Sequence, residues 1–289
     1  MRKKRHNRTK KSRLRGKWIA LEILIICVGL ALLTVAAFNS GWISTASPVP
    51  PPETESSTAE PSTAEPTTTE PETTTLPPPP TLDIETLEGK KLVALTFDDG
   101  PQRTQTTRLL DFLKEQGVHV TFFMVGVSIK EAPEIVRRAA AEGHQVASHT
   151  YNHKDLTKLG PERLAQEIGD TAALLEELTG YRPTAMRPPY GAQNAAVQAA
   201  AGTPLILWSI DPKDWSTRDA DKSYTRVLSN VRDGDIVLLH DLYRESVEAA
   251  ERIIPALKEQ GYTFVTVDQL LAARGGAKPG DVVYNRPGE

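Results

Sequence analysis

Between about residues 88 and 275, short apolar runs of strand type alternate with segments of helical spacing, a pattern that few folds accept. The strand-like runs are KLVALTF (91–97), VHVTFFMVG (118–126), HQVASH (144–149), TAMRPP (184–189), PLILWSI (204–210), DIVLLH (235–240) and YTFVTV (262–267). Between them lie TRLLDFLKEQG, APEIVRRAAAEG, PERLAQEIGDTAALLEELTG, NAAVQAAAG, SYTRVLSNVRDG and SVEAAERIIPALKEQG, most ending in the Gly that stops a helix. Apolar strands separated by helices read as parallel strands buried under helices on both faces. The expectation is an α/β fold, a distorted (β/α) barrel of about seven parallel strands. A doubly wound open sheet is the alternative, and no G-x-G-x-x-G follows the first strand to support it.

The segments before this domain are of another kind. Residues 1–17 hold ten of the 34 Lys and Arg and no acid, which leaves 24 basic against 37 acidic residues, a formal −13, on the remainder. An acidic body argues against nucleic acid as its partner. Residues 18–38, WIALEILIICVGLALLTVAAF, form a mostly apolar run of 21 with Glu22 as its one charge. At about 1.5 Å per residue that length crosses a ~30 Å hydrocarbon core. The run predicts an uncleaved membrane anchor with the basic tail in the cytoplasm and the rest of the chain outside. A cleaved signal peptide is the other reading, with STAS at 44–47 a weak cleavage site.

A linker is expected over 39–87. Its most repetitive part, 44–81, carries TAEP, TAEP and TTEP at a five-residue period and then PPPP. Such a composition cannot bury a core and extends at about 3.1 Å per residue, reaching on the order of 100 Å. A tail is expected over 276–289. The only cysteine, Cys27, lies in the apolar run, so the exported part can form no disulfide of its own.

Polar residues stand where the strands end. Asp98 and Asp99 follow the first, His149 the third, and Arg187 ends the fourth; Asp211 follows the fifth and His240 ends the sixth. In a barrel those carboxyl ends meet on one rim, where active sites form. Two adjacent carboxylates in TFDDGP repel unless a cation or a proton separates their roles. SHTYNH (148–153) places His149 and His153 four apart, on one face of a single turn. With Asp99 they make two imidazoles and a carboxylate, the make-up of a catalytic zinc site with positions left for water. A metal there would lower the pKa of a bound water toward ~7 and act as a Lewis acid on a carbonyl.

TFDDG, HTYNH, RPPYG, DPKDW and LLH, in this order and spacing, resemble the polysaccharide deacetylases of carbohydrate esterase family 4 over roughly residues 90–272. The resemblance implies a divalent metal and removal of N- or O-acetyl groups from polysaccharides. It implies Asp99, His149 and His153 as metal ligands, Asp98 as general base and Arg187 as the residue holding that base. It also implies Tyr190 N–H as an oxyanion donor and His240 as general acid held by Asp214. Trp215 and Leu238 would wall the acetyl pocket, with Pro188 and Tyr190 beside them against substrate.

The chain has no Gly-x-Ser-x-Gly elbow in this domain for a serine esterase. A phosphoryl-transfer site would want more oxygen ligands. The expected activity is therefore metal-dependent deacetylation of cell-wall glycan, peptidoglycan above all, by a membrane-held enzyme. Zinc is the expected metal, with cobalt, nickel or manganese as alternatives. Chitin-oligosaccharide or O-acetyl xylan deacetylation and a silent wall-binding module are the rivals. His119 and Trp208 read as packing, His144 as a turn residue and His6 as part of the tail. Tyr151 and Asn152 read as rim residues, and Asp211 as either a border of the site or a loop cap.

Overall fold

The computed structural model describes residues 84–284; the basic tail, the apolar run 18–38 and all of the linker before Ile84 lie outside the described residues. Strands β1 (Lys91–Asp98), β2 (Thr121–Met124), β3 (Gln145–Ser148), β4 (Leu205–Ile206), β5 (Asp235–His240), β6 (Tyr262–Phe264) and β7 (Val282–Val283) pair only in parallel. The helices are α1 (Gln105–Gln116), α2 (Gly126–Glu131), α3 (Pro133–Ala141), α4 (Pro161–Thr179) and α5 (Ala195–Ala201). They continue as α6 (Asp214–Thr217), α7 (Ala220–Asn230), α8 (Arg244–Glu259) and α9 (Val267–Ala273).

The α/β alternation with a parallel sheet is as the sequence predicts, and it differs in three places. The expected fourth strand, 184–189, shrinks to Met186, a single residue bridged in parallel to Ser148 on one side and Leu205 on the other. Pro183, Pro188 and Pro189 flank it and donate no ladder hydrogen bond, which confines pairing to that one residue. The seventh strand instead comes from the segment expected as a tail: Val282–Val283 pairs with β4. At the other end Ile84–Leu87, expected as linker, forms a 3-10 turn whose Leu87 is buried against Ala94, Ile236 and Leu271.

The sheet order is β3-β2-β1-β5, with β6 on β1 as well. Ile210 bridges to Val237 of β5, and Met186 joins β3 to β4, so the parallel pairings run in a closed circuit. Inside it the strands present only buried residues: β1 from Leu92 to Asp98 and β5 from Asp235 to Leu239. Alternate side chains of β1 serve opposite layers. Val93, Leu95 and Phe97 pack with α1 and α8 residues such as Leu109, Leu113 and Ile253, while Leu92 and Ala94 join Val265 and Leu270. The register pairs Asp98 with His240 and Thr96 with Leu238. Strand pairing alone therefore brings an acid and an imidazole, 142 positions apart in sequence, side by side at one rim.

Candidate active site

The rim cavity has a volume of about 350 Å³, and Asp98, Asp99, His149, His153 and His240 line it. Pro188, Tyr190, Trp215 and Leu238, expected against substrate, line it too. Arg187 and Asp214 stand behind the lining, both buried.

Asp99, His149 and His153 each offer a ligand atom, all within 4.8 Å of one another. Asp99 Oδ1 lies 3.5 Å from His149 Nε2 and 3.3 Å from His153 Nε2. The His149 Nδ1–H donates to the Arg187 carbonyl at 2.7 Å, which fixes the tautomer and leaves Nε2 as the free lone pair. Burial, with the neighbouring His149, holds the His153 pKa below its ordinary value, so the ring is neutral near pH 7. Burial pushes Asp99 the other way, but the His149 and His153 imidazoles beside it outweigh that and keep its pKa below the usual carboxylate value. Free imidazole lone pairs and an ionised carboxylate are what a divalent ion requires of such ligands. The donor set fits such an ion.

The reason these groups meet is not the helical turn that the four-residue spacing predicts. Residues 149–155 are loop, and Thr150 (φ 65°) and His153 (φ 53°) are both left-handed, a rare conformation for β-branched Thr. Asp99 (φ 75°) is left-handed as well. Strain at three consecutive corners of one site persists only where the surroundings over-determine it. The start of α2 does so: Gly126 N and Val127 N donate to the carbonyls of Thr150 and Tyr151, and Val125 N donates to that of Gly100. Gly126 has no substitute, because a Cβ there would fall 2.4 Å from the Tyr151 ring.

From the other side buried Glu167 of α4 accepts from Asn152 N at 2.7 Å and from Asn152 Nδ2 at 2.9 Å. Asn152, expected at the substrate rim, is exposed and at the same time tied to α4, and half-buried Tyr151 packs on Gly126.

Asp98 is held by the fully buried Arg187, Nη1 to Oδ1 at 2.6 Å. The guanidinium also donates to Thr96 Oγ1 and to the carbonyls of Ile206 and Leu207, and lies 4.1 Å over the Phe123 ring. Burial pulls the Arg187 pKa below its ordinary value, and the Asp98 carboxylate opposes the shift. The other oxygen of Asp98, Oδ2, lies 3.6 Å from His149 Nε2 and is the one free to work in the cavity.

Opposite, Asp214 accepts twice from His240, from Nδ1 at 2.9 Å and from the backbone N at 2.9 Å. Burial alone would lower the His240 pKa, but the hydrogen bond and charge of Asp214, with Asp98 and Asp99 behind them, raise it to about 9. The imidazolium therefore carries its proton at neutral pH. Tyr190, in RPPYG, is left-handed at φ 61° and 70% exposed, and its ring meets His153 edge-on at 4.8 Å.

Three further residues line the cavity. Trp208, read as packing, lines it, and its ring would be 3.2 Å from a Cβ on Gly191. Asp211 both borders the cavity and caps the loop, accepting from Lys213 N at 2.7 Å. Tyr243 was not singled out at all; it lines the cavity, with Arg218 stacked over its ring. Its only sequence signal is a place three residues after His240, at the N-terminus of α8. Beneath the site Asp241 is fully buried, accepts from the Thr106 hydroxyl and is pushed up to about 7 by burial. A Cβ on Gly100 would fall 2.4 Å from that carboxylate, which explains the glycine of TFDDG.

A parallel α/β circuit with a two-histidine, one-aspartate centre and facing acid–base pairs defines a class, and the family model described as polysaccharide deacetylase matches residues 87–204. The chain is similar to the peptidoglycan-N-acetylglucosamine deacetylase of Bacillus cereus, 38% identical over 195 residues covering 65% of this chain and 91% of that one. It belongs to the polysaccharide deacetylase family. Peptidoglycan-N-acetylmuramic acid deacetylase PdaC of Bacillus subtilis is 41% identical over 187 residues, 64% of this chain; the chain spans only 40% of that relative's length. The solved family 4 acetyl xylan esterase of Clostridium thermocellum, in complex with a cobalt ion, aligns at a TM-score of 0.65 and 33% identity, covering 68% of this chain and all of that one.

Proposed function

We propose that this chain hydrolyses N-acetyl groups on cell-wall glycan, peptidoglycan above all, and releases acetate and a free amino sugar. One observation carries the reading: a ligand triad with its atoms inside 4.8 Å faces an Arg187-held carboxylate and an Asp214-held imidazolium across one cavity. The named activities of the relatives from Bacillus cereus and Bacillus subtilis support peptidoglycan over xylan.

Asp99, His149 and His153 would hold one divalent ion, and zinc suits two imidazoles and a carboxylate best. When bound, it supplies Lewis acidity toward the acetyl carbonyl and favours ionisation of a water. The chain's own groups do the rest. Asp98, held in place by Arg187 through Oδ1, accepts the proton from the attacking water through Oδ2. The Tyr190 N–H donates to the oxygen that gains charge. His240 gives its Nε2 proton to the departing amine, without which an amide's leaving group is too poor. Trp215 and Leu238 exclude water around the acetyl methyl, and Tyr190 and Pro188 lie against the sugar.

The basic tail and the apolar run 18–38 support an anchor that leaves this domain outside the membrane, with 39–83 as tether to the wall. The test is acetate release by the full chain from N-acetylated peptidoglycan with zinc, beside Asp98→Asn and chelator controls. Acetate that both controls abolish supports the reading. No acetate from peptidoglycan, chitin oligomers or acetylated xylan, with folded and metal-loaded protein, overturns it in favour of a binding module.

A further inference from the structure

A second cavity of about 570 Å³ lies on the far side of α6, between Pro212, Lys213 and Thr217 and the face of α7 that carries Lys222, Thr225 and Arg226. Lys213 Nζ and the Arg226 guanidinium point to no hydrogen-bond or ion-pair partner among the described residues, though neighbouring charges are matched: Lys222 with Asp219 at 3.0 Å and Asp221 with Arg252 at 2.6 Å. Two unmatched cations thus face one open cleft on a body whose residues 18–289 carry a formal −13. Thr217, Thr225 and Ser229 add hydroxyls to the lining, and its one carboxylate, Asp221, is engaged by Arg252, which suits a sugar bearing an anionic substituent more than a bare phosphate.

The cleft shares a wall with the active site. Asp211 and Trp215 line the catalytic cavity, while Pro212, Lys213 and Thr217 of the same stretch line the second one. Asp211 and Pro212 are adjacent in the chain and line different cavities, so the two lie close enough for neighbouring units of one glycan to reach both. An anionic substituent on a neighbouring unit would meet the unmatched Lys213 and Arg226 on the far side of α6.

We infer that Lys213 and Arg226 form an anion subsite that takes a carboxylate carried by the glycan next to the sugar being deacetylated. The inference rests on the deacetylase reading above and adds to it a preference for acid-bearing over neutral glycan. On peptidoglycan the carboxylate is either the lactyl group of muramic acid, when its peptide has been removed, or a carboxylate of the peptide stem. Both present the same chemistry to a guanidinium.

The experiment compares the full chain and its Lys213→Gln/Arg226→Gln variant on three substrates: intact glycan strands, strands stripped of peptide by an amidase, and a neutral chitin oligomer of similar length. Exposed ion pairs are weak, so the expected effect is a KM raised about 5- to 10-fold on acid-bearing strands, with kcat unchanged and no change on chitin. The wild-type KM on those strands should also rise with salt, whereas that on chitin should not. A rise on stripped strands alone assigns the lactyl carboxylate, a rise on intact strands alone assigns the stem, and a rise on both means that the subsite takes either carboxylate. Equal KM for wild type and variant on every substrate overturns the subsite while leaving deacetylation standing. Absence of acetate from all three with wild type overturns the underlying function instead.

Discussion

At the scale of single residues, the division of labour among the carboxylates follows from what each one touches. Asp98 has one oxygen bound to Arg187 and one free, so Asp98→Asn keeps the shape and an acceptor for Nη1 but removes the base. The kcat should fall about 10²- to 10⁴-fold with metal stoichiometry unchanged, read by single-turnover acetate release beside metal analysis. A variant that keeps wild-type kcat would remove Asp98 from the mechanism. Asp214 works through His240, whose raised pKa of about 9 falls once the carboxylate charge is gone and burial is left to act. An acid is active below its pKa, so Asp214→Asn should move the alkaline limb of the kcat profile to lower pH. The same pair contributes stability that is complete below the unfolded histidine value of about 6.5 and is lost as pH rises through about 9. An alkaline limb that stays put in the variant would assign it to some other group.

At the scale of elements, the site depends on how loops are clamped. Glu167 sits on the buried stripe of α4 with Leu164, Ile168 and Thr171, and both its oxygens hold Asn152, the residue before His153. Glu167→Ala frees one side of a loop containing two left-handed residues, so metal affinity should drop about 10- to 100-fold, the range found when groups supporting a metal ligand are removed. A chelator competition titration reads this directly, and an unchanged affinity would reduce Glu167 to helix packing. The places of Asp98, Asp99, His149, Arg187 and His240 were legible in sequence because each stands where an apolar run stops, whereas the roles expected of Tyr190 and Asp214 came only with the family resemblance. Clamps are harder to read. A glutamate in an amphipathic helix looks solvated, and only its position three residues after Leu164 and four before Thr171 betrays that it faces inward. The four-residue spacing of His149 and His153 anticipated that the two rings meet, but by the wrong geometry, since left-handed loop residues imitate one face of a helical turn. The strand expected at 184–189 failed for a plain reason: three prolines remove the donors that a ladder needs.

At the scale of the molecule, the centre joins parts of the chain that the sheet alone holds loosely. Asp99 follows β1, while His149 and His153 follow β3, and β2 lies between those strands in the order β3-β2-β1-β5. A bound ion therefore ties two non-adjacent strand ends across a third. Cys27 is the chain's one cysteine, so no disulfide within the chain does the same work, and among the described residues the circuit on that side closes through the single residue Met186. An ion that binds the folded chain and not the unfolded one adds about 2.7 kcal/mol at a hundred times its Kd. For a domain of this size each kcal/mol moves Tm by roughly 2–4 °C, so zinc should raise Tm by about 5–10 °C and a chelator should reverse it. His153→Ala removes a half-buried ligand with little packing, and should abolish the zinc-dependent rise while leaving the metal-free Tm within a few degrees of wild type. Calorimetry of both proteins with and without zinc decides it. A rise that persists in His153→Ala would place the stabilising ion elsewhere, and no rise in wild type would mean that the strand ends are already fixed by α2 and Glu167 without it.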